Sequence, residues 1–375
     1  MIPRSLYAIL VGVSCAAAGA VTGGVAVEPS YTAADFAQVR KFDAHVHANT
    51  DDHRFLDVAE KDGFEILSLN VDYPDFPSLQ RQAHAVHTLS GANPQRFHFC
   101  TTFSMQGFGG AGWTENTVRR IDAEMARGAL CVKVWKNIGM VERDAQGRLI
   151  MLDDRRFDGV MGHLEAKGIP LVAHQAEPKN CWLPLEAMTT ENDRSYFRDH
   201  PEYHMYLHPA LPSYESLIAA RDRFVARHPH LHFVGAHLAS LEWSVDELAL
   251  FLDAYPNATA DLAARMTQVQ NQSKADPAKV RRFFVKYQDR LLYGSDLTEN
   301  PPDPHARAQN PPMDIAQFAA EADTFWRSDW VYLATPGVQY IDDIKADVKG
   351  LALPKPVIDK IYFANARRVF GPPPR

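Results

Sequence analysis

Nothing in this 375-residue chain is built to hold a polyanion. Its 39 lysines and arginines are outnumbered by 46 acids, for a formal net charge of −7. No basic run of the kind a phosphate backbone requires occurs, which excludes nucleic acid as a partner. Long apolar runs are also scarce. The candidate is Leu6 to Ala20, preceded by Arg4 and followed by no acid before Glu28. It is short and rich in small residues for a membrane span. Its small-x-small triplet Ala18-Gly19-Ala20, with a second cut at Gly24-Val25-Ala26, reads instead as a signal peptide over residues 1–26. The expectation is a secreted or periplasmic protein with no membrane association beyond that segment. Cysteine is sparse as well: Cys15 would leave with the signal, and Cys100, Cys131 and Cys181 form an odd set without paired spacing. This reading expects buried free thiols and no disulfide framework. Internal repeats and low-complexity tracts are lacking, which excludes solenoids and extended arrays.

Apolar side chains, by contrast, are plentiful. Hydrophobic residues make up 46% and charged residues 23%, enough for a large core. Eight short β-rich runs follow one another: Lys41–His47, Glu65–Val71, Arg96–Phe103, Leu130–Trp135, Ile169–His174, His232–His237, Ala258–Leu262 and Leu291–Asp296. Between them lie stretches with helical spacing, such as Thr117–Arg127 and Val245–Ala254. Alternation on this scale predicts an α/β fold, a (β/α)₈ TIM barrel over residues 35–371. Long loops at the C-terminal face are expected from Gln175–Glu215, Ala263–Val280 and Leu297–Val338. Pro354–Gly371 reads as a helix on the barrel's outside.

The first run reads Phe42-Asp43-Ala44-His45-Val46-His47. Strand alternation places Asp43, His45 and His47 on one face, with Phe42, Ala44 and Val46 toward the helices. Two imidazoles at a strand's C-terminal end can converge on an ion. Three further runs close the same way, at His174, His237 and Asp296. By the same alternation, His237 shares its face with Gly235, and Asp296 with Gly294. Polar groups buried together at one rim need a common partner. Imidazole and carboxylate donors suit Zn²⁺, with Mn²⁺, Fe²⁺ or Co²⁺ as alternatives. Such an ion acidifies water and polarises a substrate oxygen.

The Asp43-x-His45-x-His47 strand, the His174, His237 and Asp296 strand ends, and the closing Ile361-Tyr362-Phe363-Ala364-Asn365-Ala366 run resemble the amidohydrolase superfamily. The nearest branch is the amidohydrolase-2 group, which contains the aminocarboxymuconate-semialdehyde decarboxylase-like enzymes. The resemblance spans Lys41 to Gly371. It implies that His45, His47 and His174 are metal ligands and that Asp296 is a ligand able to take a proton. It makes His237 the group that polarises water or substrate in one-metal members, or a ligand to a second metal in two-metal members. Two-metal members often add a carboxylated lysine at the end of strand four. Here Lys133 points inward with Cys131 and Trp135, and its reading as an ammonium holding a substrate carboxylate gives one divalent metal. Lys136 reads as a snorkelling surface lysine.

Arg265 and Trp182 are expected to bind substrate, the first by forking onto a carboxylate. His204, His208, Glu177 and Trp243 are further loop residues near the rim, while His53, His84, His87, His228 and His305 read as surface. The expected activity is hydrolysis of a carboxylic ester, amide or lactone-like bond. The alternative is non-oxidative decarboxylation of an unsaturated or aromatic acid. The expected partner is a small-molecule substrate, with a homodimer left open.

Overall fold

A computed structural model describes residues 29–73, 76–300 and 314–371. The signal segment, Cys15 and His305 lie outside the described residues. Nine strands form one parallel sheet in the order β8-β7-β6-β5-β4-β3-β2-β1-β9. They are β1 (Lys41–Ala48), β2 (Phe64–Leu69), β3 (Phe97–Thr102), β4 (Cys131–Val134), β5 (Leu171–Ala173), β6 (Phe233–Gly235), β7 (Ala258–Asp261), β8 (Leu291–Leu292) and β9 (Leu297–Glu299). The eighth predicted strand, Leu291–Asp296, is shortened to β8, which pairs with β7, while β9 begins after Asp296 and pairs with β1. Between β8 and β9, Ala44 N–H donates to Tyr293 O at 2.9 Å and Asp296 N–H to His45 O at 2.7 Å. These bonds close the sheet into the (β/α)₈ barrel, with its helices outside. No helix among the described residues is long and apolar enough to cross a membrane.

Local signals set the helix starts. Ser244 caps Val245–Ala254 by accepting from Glu247 N–H at 3.3 Å, and Ser213 caps Tyr214–Arg227 through Ser216 N–H at 3.2 Å. The apolar faces of these helices pack on outward strand residues such as Val46, Ile66, Val132, Leu171 and Phe233. The barrel interior is a second apolar cluster that includes Phe42, Ala44, Leu67, Cys100, Val172, Val234 and Leu292.

Four expectations need correction. First, Asp43, His45 and His47 do not share a face. On β1 the step from Asp43 to Val46 spans three residues, while its partners Ile66 and Ser68 are two apart. This bulge inserts one extra residue. Phe42 and Ala44 therefore point into the barrel, and Asp43 points out, where its carboxylate accepts from Trp326 Nε1 at 2.8 Å. The two histidines still face inward, His45 within the bulge and His47 beyond it. Second, Cys100 and Cys131 are not free thiols but a disulfide, with Cα atoms 4.5 Å apart. Their strands are neighbours in register, each cysteine opposite the other. A separation of 31 residues along the chain hides that adjacency. Cys181 is free and buried.

Third, the C-terminal stretch does more than lie on the outside. Ile361 and Tyr362 pack in the outer layer, but Ala366, Val369 and Phe370 join the interior cluster beside Phe42. Asn365 Nδ2 donates to Leu291 O at 2.8 Å, tying this plug to the N-terminal end of β8. Fourth, His228 is buried and not on the surface; its ring lies 4.9 Å from that of Phe224.

Candidate metal centre

The strand ends carry a polar layer above the apolar interior. His45 and His47 each bring Nε2 to 3.3 Å from Asp296 Oδ1. Their other ring nitrogens are taken: His45 Nδ1 lies 2.8 Å from Asp261 Oδ2, and His47 Nδ1 lies 2.7 Å from Leu69 O. A carbonyl acceptor at Nδ1 puts the proton there in His47, which leaves the Nε2 lone pair free for an ion. The carboxylate of Asp261 does the same for His45. The donor atoms of His45, His47 and Asp296 all lie within 4.8 Å of one another, as do those of His45, His237 and Asp261. In chemistry and spacing the first set fits a divalent ion such as Zn²⁺.

Asp261 belongs to the support of that set. It is 1% exposed, and its Oδ1 accepts from His237 N–H at 2.7 Å and from Ala263 N–H at 3.2 Å while Oδ2 faces His45. Three bonds occupy the carboxylate, so it aligns ligands and has little left for an ion. Sequence reasoning missed it. The signal was there: Ala258-Thr259-Ala260-Asp261 ends in a polar, metal-compatible side chain, as the runs ending at His47, His174, His237 and Asp296 do.

His237 reaches the centre by a route that alternation does not describe. Val234 of β6 and Ala236, just past its end, point inward, and a Cβ at Gly235 would come within 2.4 Å of Ala239 Cβ in the outer layer. The chain then makes a left-handed turn, with φ of 58°, 56°, 55° and 58° from His237 to Ser240. Each such residue costs about 1–2 kcal/mol without glycine. Buried hydrogen bonds hold the turn: Tyr214 hydroxyl to Ser240 O, Arg221 to Ala239 O, and Ser240 Oγ to Gln175 O. The result swings the imidazole back inward, 4.8 Å from the His45 ring and 4.1 Å from the His174 ring between centroids. His237 Nδ1 lies 2.9 Å from Ala263 O, leaving Nε2 toward the site. His174 turns Nε2 to Ala176 O at 3.1 Å and offers Nδ1. It joins the centre through His237 and stands outside both tight donor groups.

Burial first, then the Lys133 ammonium, lowers the pKa of His45, against the pull of Asp261. Burial also holds His174 and His237 well below their usual range. All three are neutral bases at physiological pH, as ligands must be. Burial raises the pKa of Asp296, but the neighbouring histidines outweigh it and keep the carboxyl ionised. Lys133 is fully buried, its Nζ 3.3 Å from His45 Nε2, and burial pulls its pKa down to about 8. It faces the centre from within the barrel.

Beside the centre lies a cavity of about 440 Å³. Five aromatic residues line it, Tyr73, Phe76, Trp135, Tyr196 and Tyr203, together with Met140, Val141, Met205 and Leu211. Phe76 meets His47 edge-on at 5.1 Å, and Trp135 meets His174 at 6.1 Å, so the cavity adjoins two site histidines. The charged lining is Lys136, Glu177 and Glu202, with His200. Lys136 is not the surface residue expected: its ammonium pairs with Glu177 and lies 4.9 Å from the Trp135 ring centroid. Trp182 is not among the lining residues; it donates Nε1–H to Pro212 O at 3.2 Å and stacks edge-on against Tyr214. Arg265 donates to Ala264 O at 3.0 Å, and its charge reaches His174 and His237. His204 and His208 bond Leu183 O and Pro201 O within the loop after β5. Trp243 donates to the Tyr214 hydroxyl at 2.9 Å.

A family model described as Amidohydrolase (Amidohydro_2) matches residues 26–371. The chain belongs to the amidohydrolase family. Among solved structures, this amidohydrolase is similar to 2,6-dihydroxybenzoate decarboxylase from Rhizobium, at 14% identity and a TM-score of 0.49, over 88% of this chain and 98% of that one. It is also similar to a probable 2-pyrone-4,6-dicarboxylic acid hydrolase from Acinetobacter baumannii, at 11% identity and 0.48, over 88% and 99%. A TIM-barrel protein from Bordetella bronchiseptica matches at 15% and 0.45, over 88% and 98%. Likeness at that level speaks to neither substrate nor reaction. No match was found among curated proteins.

Proposed function

We propose that this amidohydrolase hydrolyses an uncharged carboxylic ester, amide or lactone-like bond in a substrate whose planar portion lodges in the aromatic cavity. The charge balance of that cavity carries the reading. It holds two carboxylates, Glu177 and Glu202, against one ammonium, Lys136, which Glu177 already pairs. An aromatic acid would bring a third negative charge to that wall, where like charges in juxtaposition are costly. A neutral substrate meets no such penalty.

His45, His47 and Asp296, with His174 beside them, would hold a divalent ion, which would supply water activation near neutral pH and polarisation of the scissile carbonyl. The remaining work falls to side chains. Asp296, with 29% of its side chain exposed, stands where it can take the proton of an attacking water and return it to the leaving group. His237 presents Nε2 to the same region and, once protonated or bonded to water, stabilises charge on the substrate oxygen. Asp261 holds both His45 and His237 in place. The Cys100–Cys131 bridge supports a secreted or periplasmic location, where thiols are oxidised.

Decarboxylation of a planar acid is the second reading, favoured by the aromatic walls that would cover a ring's faces. Purified, metal-analysed protein incubated in ¹⁸O-water with aryl esters, anilides, lactones and aromatic acids separates the two. The proposal expects label in the product acid and no CO₂. Release of CO₂ without label would overturn it.

A further inference from the structure

We propose that Lys136 and Glu177 are specificity-determining residues that read a hydroxyl group on the substrate's ring, making the natural substrate a neutral hydroxyaryl ester or amide. This rests on the cavity being the substrate site. The two residues form an ion pair set among five aromatic rings and the apolar side chains of Met140, Val141, Met205 and Leu211, with side chains 18% and 10% exposed. Lys136 directly follows Trp135 at the end of β4, and Glu177 lies three residues past His174 at the end of β5. Both therefore lie just past the ends of strands that build the centre, on the same rim of the barrel.

The pair's unused bonding capacity defines what it can accept. An ammonium has three donors and Glu177 consumes one; a carboxylate has further lone pairs once Lys136 is bound. A group that both donates and accepts satisfies the two partners together, and a hydroxyl is the smallest such group. An unsubstituted ring would strip water from the pair and return nothing, which a low-dielectric wall penalises. A ring carboxylate would meet Glu177 and Glu202, and a ring ammonium would meet Lys136. The five aromatic walls favour the faces of a flat ring over a puckered sugar.

Calorimetry on the metal-loaded enzyme tests this with benzamide, 4-hydroxybenzamide, 4-methoxybenzamide and 4-carboxybenzamide. Hydrogen bonds to charged groups set the expected gain for 4-hydroxybenzamide over benzamide at about 10- to 100-fold. The methoxy compound, which accepts but cannot donate, should lose most of that gain, and the carboxy compound should bind weakest. Lys136→Met and Glu177→Gln should each collapse the ratio of 4-hydroxybenzamide to benzamide affinity toward one. Equal binding of benzamide and 4-hydroxybenzamide overturns the proposal, as does a ratio that survives in both folded variants. Tighter binding of the carboxy compound, or displacement of 4-hydroxybenzamide by methyl glucoside at similar concentration, overturns it in favour of an acid or a sugar. If the variants fail to fold, the hydroxy-to-methoxy comparison on the native enzyme decides. Binding needs no turnover, so absence of hydrolysis would defeat the proposed reaction and leave this result standing.

Discussion

Replacing Asp261 by asparagine perturbs one atom of a residue that touches no substrate, yet it should weaken metal binding. In the native site Oδ1 accepts from His237 N–H at 2.7 Å and Ala263 N–H at 3.2 Å, so an asparagine keeps its carbonyl oxygen there. Its amide nitrogen then replaces Oδ2, which stands 2.8 Å from His45 Nδ1. An N–H now faces an N–H. His45 escapes the clash by shifting its proton to Nε2, the atom that lies 3.3 Å from Asp296 and would hold the ion. Outer partners of metal-bound histidines are typically worth about 10- to 100-fold in affinity. At 1.36 kcal/mol per decade this is about 1.4–2.7 kcal/mol. Competition against a chromophoric chelator measures the metal Kd, and a thermal melt of the same preparation checks the fold. Wild-type affinity in folded Asp261→Asn would refute the tautomer argument. Complete loss of the ion, far beyond 100-fold, would make Asp261 a ligand and its role as a support wrong.

Three more expectations can be measured directly. His237→Asn should keep about one equivalent of metal while turnover falls about 10²- to 10⁴-fold; a metal-free variant would place His237 in the ligand set. Intact mass should show the Cys100–Cys131 bridge as two missing hydrogens, and Cys100→Ala/Cys131→Ala should lose about 2–4 kcal/mol of stability; native thiols that alkylate readily would contradict the bridge. Lys41 is buried against Phe36, Phe64 and Trp330, and burial lowers its pKa from 10.5 to about 7. The unfolded chain therefore binds the extra proton between those values, and stability should rise with pH from about 7 to 10.5. Lys41→Met should flatten that slope in denaturant titrations; an unchanged slope would mean another group produces it.

The barrel was legible in the chain because eight apolar runs alternate with helical spacing, and local periodicity suffices for that. The positions of the candidate centre were legible for a related reason. His45, His47, His174, His237 and Asp296 each sit where an apolar run stops, and polar side chains at strand ends collect at one rim of a parallel barrel. By the same rule Asp261 could have been found. What the sequence could not decide was anything that depends on two strands meeting. The bulge on β1 exists only relative to β2, and it sends Asp43 outward to Trp326 while the histidines turn in. Cys100 and Cys131 become partners because β3 and β4 are neighbours in register. Lys136 left the surface when the loop after β5 brought Glu177 to it. His237 aims at the centre through a left-handed turn that its own sequence disfavours, held by Tyr214, Arg221 and Asp261 from elsewhere in the fold. Strand periodicity is a property of one segment; these contacts cost local energy that only distant residues can offset, so the tertiary structure had to decide them.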